Sequence, residues 1–541
     1  MPFVLAMVVT MASLPLLVRL ATRWLIVDQP GGRKVHAVPI PRVGGVAMTL
    51  GIFAAALLTV DLQTQDRWFL AAAGVLAIFG VMDDRFDLDY RVKLIGQLLA
   101  VGIVVIAGDV QIRAITLDDR FPLSPWISEP LTVVFLVGIT NAINLADGLD
   151  GLAGGTTFLC LCAVALLSSL GDQGAGTALA LAFAGAVLGF LRFNTYPASV
   201  FMGDAGSQLL GFTIGVLSVR ATQGAASEVS TALPVLLLAL PILDTLSVMV
   251  QRLSEGRSPF SADKNHIHHK LLALGFDHHE AVMVIYAVQA ALFVLAYFLR
   301  YESDLLIMGT VTAFFGFAIT VLQMAARSGW RLRAAKGIGG NSALSRLMTA
   351  MQRPELLPRF SYQVIAGSLA LYASLIVLKT AQFGSDLRLL ISALLAVTVG
   401  FLLILRGRPI SLAEKGVVYV TATVLVYLDA VVTSSDRLIS VLGWVAVSAA
   451  AVGTAVRLRL HNDRRFQLTP LDLIVLFMAL VVPSLGTLHL PHGGALGIAK
   501  LVVVLYSIEM LVRRSDGRAA WVRIAAAAVL AGLAVRPLVP L

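Results

Sequence analysis

The chain has 541 residues, 58% of them hydrophobic and 13% charged, with mean hydropathy +0.86 and formal charge +9. Soluble domains are about a quarter charged, so this composition excludes a soluble globular protein and points to a polytopic membrane protein. The positive charge does not imply nucleic acid, because Lys and Arg sit mostly in loops between apolar runs, which is a topology signal.

The first apolar run, 2–20, lacks a basic leader and a small-residue cleavage site. It reads as a retained span rather than a signal peptide. A span needs about 20 apolar residues. Further candidates lie near 43–60, 68–82, 94–109, 131–146, 156–170, 176–192, 206–220, 231–250, 281–299 and 304–325. A second set lies near 361–379, 387–405, 416–432, 437–456, 470–487, 495–512 and 519–538. The expected fold is therefore an all-α polytopic integral membrane protein, with about 11 spans and then about seven more. The break at 326–360 is basic and carries glycines and prolines. It divides the chain into 1–325, a linker at 326–360 that is basic and predicted to be cytoplasmic, and a multi-span extension at 361–541. Segment 341–353 reads either as an amphipathic helix on the anionic inner leaflet or as a plain linker. Cys160 and Cys162 lie inside an apolar run and suit neither a disulfide framework nor a metal knuckle.

Lys and Arg concentrate in the loop after the first span, near Arg85, Arg91 and Lys93, around 252–270 and throughout 327–359. By the positive-inside rule these loops face the cytoplasm and both termini lie outside. Four polar islands, chosen for Asp, Asn and His rather than for Lys and Arg, fall on that same predicted face.

The first island is MDDRFDLD at 82–89. Carboxylates at membrane depth are costly and usually functional. Asp83 and Asp84 are adjacent, so they point different ways on a helix and can have different partners. The pair suits a divalent cation or a general base, or else a solvated helix end. The second is NAINLADGLDGLAGG at 141–155. Its Asn141, Asn144, Asp147 and Asp150 recur every third residue and drift about 60° per step around a helix. The glycines from Gly148 onward make a continuous helix doubtful, and a break there would turn the later carboxylates back toward a ligand.

The third island is NTYPASVFMGDAGS at 194–207, where Asp204 sits between two glycines at a helix start. Such starts attract phosphate, and a carboxylate beside a phosphate calls for a bridging cation. The fourth, SPFSADKNHIHHK at 258–270, carries His266, His268 and His269 near Arg257, Lys264 and Lys270. It lacks the ligand set of a zinc site and suits an anion such as a diphosphate better. His278 and His279 read as surface residues. Together the islands suggest metal-assisted phosphoryl transfer at the lipid–water boundary.

With these motifs in hand, the stretch from about residue 20 to 285 resembles the polyprenyl-phosphate N-acetylhexosamine-1-phosphate transferases. The likeness rests on VDQPGGRKVHAVPIPRVGG at 27–45, the MDD island, NAINLADGLDGLAGG, the pattern from Asn194 to Ser207, and HIHH at 266–269. It implies transfer of a sugar 1-phosphate from a UDP-sugar to undecaprenyl phosphate, with release of UMP. The His loop is most similar to the branch that uses UDP-N-acetylglucosamine; another UDP-N-acetylhexosamine or UDP-N-acetylmuramoyl-pentapeptide is the alternative donor. The resemblance puts Asp83 and Asp84 at the catalytic centre and Asp204 on Mg²⁺ (or Mn²⁺), with Asn144 nearby on the metal or diphosphate. It puts Asp147, Asp150, Asn194 and Phe201 around the nucleotide, and Lys93 on the phosphates. His266, His268, His269 and Arg257 would face the sugar or diphosphate, and Asp244 would complete the cleft. It further implies a multi-pass protein of a bacterial cytoplasmic membrane that initiates cell-envelope polysaccharide synthesis, and it is compatible with a homodimer.

A secondary transporter of an anionic solute is the competing class. It predicts polar sites near the bilayer midplane and inverted repeats, whereas the islands cluster at one face and no repeat is visible. Residues 361–541 carry no comparable island, and Asp429 and Asp436 read there as ordinary boundary residues.

Overall fold

The computed structural model describes residues 1–24, 26–28, 39–117, 119–171, 174–224, 227–258, 265–328, 356–380, 385–404, 412–431, 437–460, 500–501, 503–508, 510–511 and 520–535. Segment 341–353, the candidate span at 470–487 and much of that at 495–512 lie outside these residues, as do 29–38 and 259–264 of the motif loops. The chain splits into two compact units, one holding the described helices up to Arg327 and the other those from Leu356.

Every candidate span of the first unit falls on helix. Its helices are α1 (Pro2–Trp24), α2 (Gly44–Thr59), α3 (Thr64–Phe86), α4 (Tyr90–Gly102), α5 (Pro125–Ala146), α6 (Leu152–Leu170) and α7 (Gly174–Asn194). They continue with α8 (Gly203–Gln223), α9 (Leu233–Leu237), α10 (Ala239–Ser254), α11 (Ile267–Ala273), α12 (His278–Phe298) and α13 (Asp304–Arg327). Among the described residues, eight helices of the whole chain are long and apolar enough to cross a membrane. The protein is thus an all-α polytopic membrane protein. Two small antiparallel ribbons interrupt the helices: β1 (Val27–Asp28) with β2 (Ile40–Pro41), and β3 (Ala114–Thr116) with β4 (Arg120–Pro122).

One expected span is not a single helix. The run 231–250 breaks at Leu238 into α9 and α10. Pro234 and Pro241 stand on either side of the break, and each removes a backbone donor that a continuous helix would use.

Two helices, α6 and α8, are buried along almost their whole length. Around α8 pack α3, α5, α6 and α2. The closest approaches are made where side chains are absent. A Cβ on Gly45 would meet the Gly206 backbone nitrogen at 2.2 Å, and one on Gly80 would meet the Ala205 Cα at 2.3 Å. Small residues let membrane helices approach to backbone contact. Here they bring the ends of α2 and α3 against the first turn of α8, where Asp204 stands.

Two buried acids tie together the opposite end of this unit. Asp66, in the first turn of α3, pairs with Arg220 in the last turn of α8 at 2.8 Å. Asp304, at the start of α13, accepts hydrogen bonds from the Ser230 and Thr231 hydroxyls and from the Thr116 and Ala232 N–H groups.

The second unit contains the helices Leu356–Lys379, Ser385–Ile404, Leu412–Val431, Arg437–Leu460 and Ala520–Val535. Asp429 is no ordinary boundary residue: it is half-buried and receives Lys379, Lys500 and the Tyr372 hydroxyl. Glu414 and Arg523 form a buried pair.

Candidate active site

The site is built from the ends of α3, α5 and α8, the start of α4, and the short helix α11. Asp83 and Asp84 are the last acids of α3, and being adjacent they diverge. The Asp83 carboxylate is buried; its Oδ2 lies 2.6 Å from Lys93 Nζ, and its Oδ1 accepts the Leu88 N–H at 2.9 Å. Lys93 comes from the first turn of α4 and also reaches Asp204 Oδ2 at 3.5 Å. Lys93 thus lies between the Asp83 and Asp204 carboxylates. One ammonium therefore faces two carboxylates, an arrangement short of positive charge.

Asp84 turns the other way. Its two oxygens accept the backbone N–H groups of Asp204 at 2.9 Å and Ala205 at 3.1 Å. Gly203 has φ +70°, and a Cβ there would meet Asp84 Oδ2 at 2.3 Å, so only glycine fits. This alters one expectation. The first turn of α8 does attract an anion, but the anion it holds is the Asp84 carboxylate rather than an open place for phosphate. Asp84 fixes where Asp204 stands.

The organising stretch of α5 breaks where its glycines begin. The helix ends at Ala146, Asp147 caps it, and Gly151 takes φ +80° before α6 starts. Asn144, still helical, donates its amide to Asp204 Oδ1 at 2.6 Å and to Ser207 Oγ at 2.8 Å. With its NH₂ turned this way, Asn144 orients Asp204. One turn earlier, Asn141 and Gln97 exchange hydrogen bonds at 2.8 and 3.3 Å, and Gln97 reaches Gln208 at 3.2 Å. These amides form a polar floor beneath the carboxylates.

Asp147 lies outside the helices and is half-buried. Burial, then the neighbouring Asp204 and Asp150, push its carboxyl up to about 7. Asp150 and Asn194 serve the architecture. Asp150 Oδ2 accepts the Ala198 N–H at 2.9 Å. Asn194 accepts the Gly151 N–H and donates to the Val200 carbonyl, both at 2.9 Å. The 194–201 loop is thereby latched onto the Asp150–Gly151 turn. Phe201 binds through its backbone, donating to Pro41 O at 2.8 Å and accepting from Gly44 N at 2.9 Å.

The histidines form a row beside this turn. His266 Nδ1 is 2.8 Å from Asp244 Oδ2, and Asp244 Oδ1 accepts the Ile267 N–H at 2.6 Å. Asp244, in α10, therefore anchors the start of α11. The His268 ring stacks on His266 at 5.7 Å, touches His269 at 4.2 Å and packs directly on Gly148. Burial and the adjacent His269 lower His268 to about 4. It enters the site as a neutral imidazole, a hydrogen-bonding group rather than the cation expected of a basic loop.

Among the described residues Arg257 is ion-paired with Glu255, at 2.5 Å, beyond the end of α10. Two residues that belong to the site were missed. His278 Nε2 accepts the Asp150 N–H at 3.0 Å, and its ring stacks on Tyr196 at 4.7 Å. Its position in the first turn of α12 made it look like surface. Arg42 pairs with Asp28 and bridges to Phe201. Burial opposes its charge, but Asp28, Asp84 and Asp204 outweigh burial and strengthen it. The PRVGG run around it was a signal that pattern-reading used for resemblance only.

The donor chemistry fits Mg²⁺. Asp83 and Asp204 offer hard carboxylate oxygens side by side, and Mg²⁺ is commonly held by one or two carboxylates plus substrate phosphates. Among the described residues, no three His, Cys, Asp or Glu side chains enclose an ion by themselves.

The family model for glycosyl transferase family 4 matches residues 67–222, which includes Asp83, Asp84, Lys93, the 141–155 stretch and Asp204. A Bacillus subtilis (strain 168) protein named "Probable undecaprenyl-phosphate N-acetylglucosaminyl 1-phosphate transferase" is 36% identical over 291 residues, covering 53% of this chain and 80% of that protein. Decaprenyl-phosphate N-acetylglucosaminephosphotransferase of Mycolicibacterium smegmatis is 37% identical over 298 residues, covering 49% of this chain and 73% of its own length. Undecaprenyl-phosphate alpha-N-acetylglucosaminyl 1-phosphate transferase of Escherichia coli (strain K12) is 33% identical over 276 residues, covering 49% and 74%. Each match leaves about half of this chain uncovered.

Proposed function

Because the chain belongs to glycosyl transferase family 4, with the polyprenyl-phosphate sugar-1-phosphate transferases, we propose that it moves N-acetylglucosamine 1-phosphate from UDP-N-acetylglucosamine to undecaprenyl phosphate. The coarser activity, transfer of a sugar 1-phosphate onto a polyprenyl phosphate, follows from the family. The UDP-linked donor, the acetylated sugar, Mg²⁺ and the residue roles are our reading. Its main support is the Asp83–Lys93–Asp204 cluster, buried at a membrane-helix end and held by Asp84 and Asn144.

In this reading a phosphate oxygen of the lipid attacks the β-phosphorus of the donor. The bond from that phosphorus to the bridging oxygen breaks, UMP leaves, and a lipid diphosphate sugar forms. Asp83 accepts the proton carried by the lipid phosphate, within reach of Lys93, which draws the anionic acceptor. Asp204 would hold Mg²⁺, which neutralises phosphate charge when bound. Asp84 and Asn144 are positioning residues that set the angle of Asp204. Neutral His268, with His266 and His269, offers ring nitrogens to the sugar or diphosphate, and the Asp147–Asp150 turn borders the nucleotide. The Lys and Arg distribution supports a site on the cytoplasmic face of a bacterial inner membrane, with both termini outside.

The clustering of the acids at one end of the helices favours a transferase over a transporter, whose sites would lie near the bilayer midplane. The direct test incubates the purified protein with undecaprenyl phosphate and a panel of UDP-sugars, with and without Mg²⁺. UDP-N-acetylglucosamine should release UMP only with the metal present. Release with a different UDP-sugar alone would reassign the donor, and release in excess EDTA would remove the metal from the account.

A further inference from the structure

At the end of the first unit away from the carboxylates lies a cavity of about 350 Å³. Its exposed wall surface is mostly apolar, from Leu131 and Phe135 of α5, Val219 of α8, Val235 of α9, and Leu305 and Met308 of α13, with Thr222, Gln223, Thr231 and Asp304 also in the lining. Pockets that take small molecules run from about 300 to 1,000 Å³. An apolar cavity of about 150 Å³ stays dry and accepts benzene, so this one has room for two or three five-carbon units. The cavity opens sideways, because Leu131, Leu305 and Met308 line it and are also 42%, 70% and 44% exposed.

A track joins this opening to the site. Leu131, Val134, Gly138 and Leu145 follow one another at three, four and seven residues, which keeps them on one face of α5. Leu131, Val134 and Leu145 are all exposed, and a Cβ on Gly138 would meet nothing within 4 Å. The face is an apolar strip with a furrow in it. It begins at Leu145, beside Asn144 of the carboxylate cluster, and ends at Leu131 in the cavity wall. By helix rise the strip is about 21 Å long.

We infer that the far part of the polyprenyl tail of the acceptor runs along this face of α5 and lodges in the cavity bounded by α5, α8, α9 and α13. This rests on the reading of the chain as a transferase acting on a polyprenyl phosphate. With the phosphate at Lys93 and Asp83, the tail must leave along the lipid-facing side of the bundle. A chain shorter than the strip stops before the cavity. Undecaprenyl and decaprenyl chains are longer than the hydrocarbon layer of roughly 30 Å and reach it. In lipid the tail gains nothing from leaving water; it gains contacts in a cavity whose walls otherwise lack them, and that gain is modest. The cavity thus acts as a ruler, favouring long acceptors through their distal units.

The test crosses acceptor length with cavity volume. UMP release is measured with undecaprenyl phosphate and with farnesyl phosphate, which is too short to reach the cavity. The proteins are wild type, Val235→Trp and Ala232→Phe, which fill the cavity, and Gly138→Leu, which fills the furrow. The filled-cavity variants should raise KM for undecaprenyl phosphate about fivefold and leave kcat, the donor KM and the farnesyl phosphate KM unchanged. Gly138→Leu should raise both acceptor KM values, because both tails cross the furrow. Equal changes for the two acceptors in the cavity variants would show a structural defect and overturn the proposal. So would no change for either, the result expected if bilayer acyl chains fill the cavity. Failure of wild type to use any polyprenyl phosphate would instead strike the transferase reading itself, so the two failures are distinguishable.

Discussion

The two ends of the first unit handle buried acids in opposite ways. At the far end Asp304 takes two hydroxyls and two backbone N–H groups, and Asp66 pairs with Arg220. At the site end Asp83 and Asp204 share one lysine, with a third acid, Asp84, spent on positioning. The first arrangement is internally compensated: Asp304 has four donors from the protein and Asp66 faces an arginine. The second is crowded with negative charge and keeps Lys93 and Asp204 partly open to solvent, at 29% and 26% side-chain exposure. Scaffold acids in a membrane are satisfied from within the protein, whereas acids left short of positive charge mark the place where an ion or substrate completes the balance.

That contrast can be broken by substitution. The largest effect is expected from Asp83→Asn. Loss of the proton acceptor should lower kcat for UMP release about a thousandfold, as general-base removal typically does, while thermal stability barely moves. Asp84→Asn comes next. It weakens the two backbone hydrogen bonds that place Asp204, and small misplacements cost up to about a hundredfold in rate. Unlike Asp83→Asn, it should also lower the melting temperature. Asp304→Asn should do the reverse of Asp83→Asn. Losing charge-assisted bonds at an internally compensated acid costs about 2 kcal/mol of stability, read in thermal or denaturant unfolding, with kcat for the surviving folded protein unchanged.

The smallest effect concerns pH. Asp147 is pushed up to about 7, first by burial and then by Asp204 and Asp150. A carboxyl with a higher pKa folded than unfolded contributes most below about 4 and loses that contribution as pH climbs through 7. Metal-free protein should therefore lose stability between about pH 4 and 7, and Asp147→Asn should flatten that slope. An unchanged slope would place the titration elsewhere.

Much of this was legible in the residues. Apolar runs mark the helices because a span must satisfy its backbone internally and hide its polar groups. The divergence of Asp83 and Asp84 follows from helix geometry, and the chain break after Ala146 from the glycines that begin at Gly148. What stayed hidden depended on contacts between distant segments. Nothing local to Asp84 says that its oxygens cap a helix 120 residues away. His278 looks like a helix-start surface residue until the Asp150 turn arrives beside it. Asn194 resembles a ligand-binding amide, yet both ends of its amide hold backbone. The Asp429 cluster of the second unit was passed over because its lysines come from sequence 50 and 71 residues away.

The central claim, that the under-compensated acids at the site end carry the chemistry, is tested most directly by Asp204→Asn. UMP release from UDP-N-acetylglucosamine and undecaprenyl phosphate in Mg²⁺ would be measured beside the unfolding transition of the same preparation. The account predicts that release falls at least about a thousandfold while the transition stays within about 1 kcal/mol of wild type. Undiminished release from folded Asp204→Asn protein would contradict it.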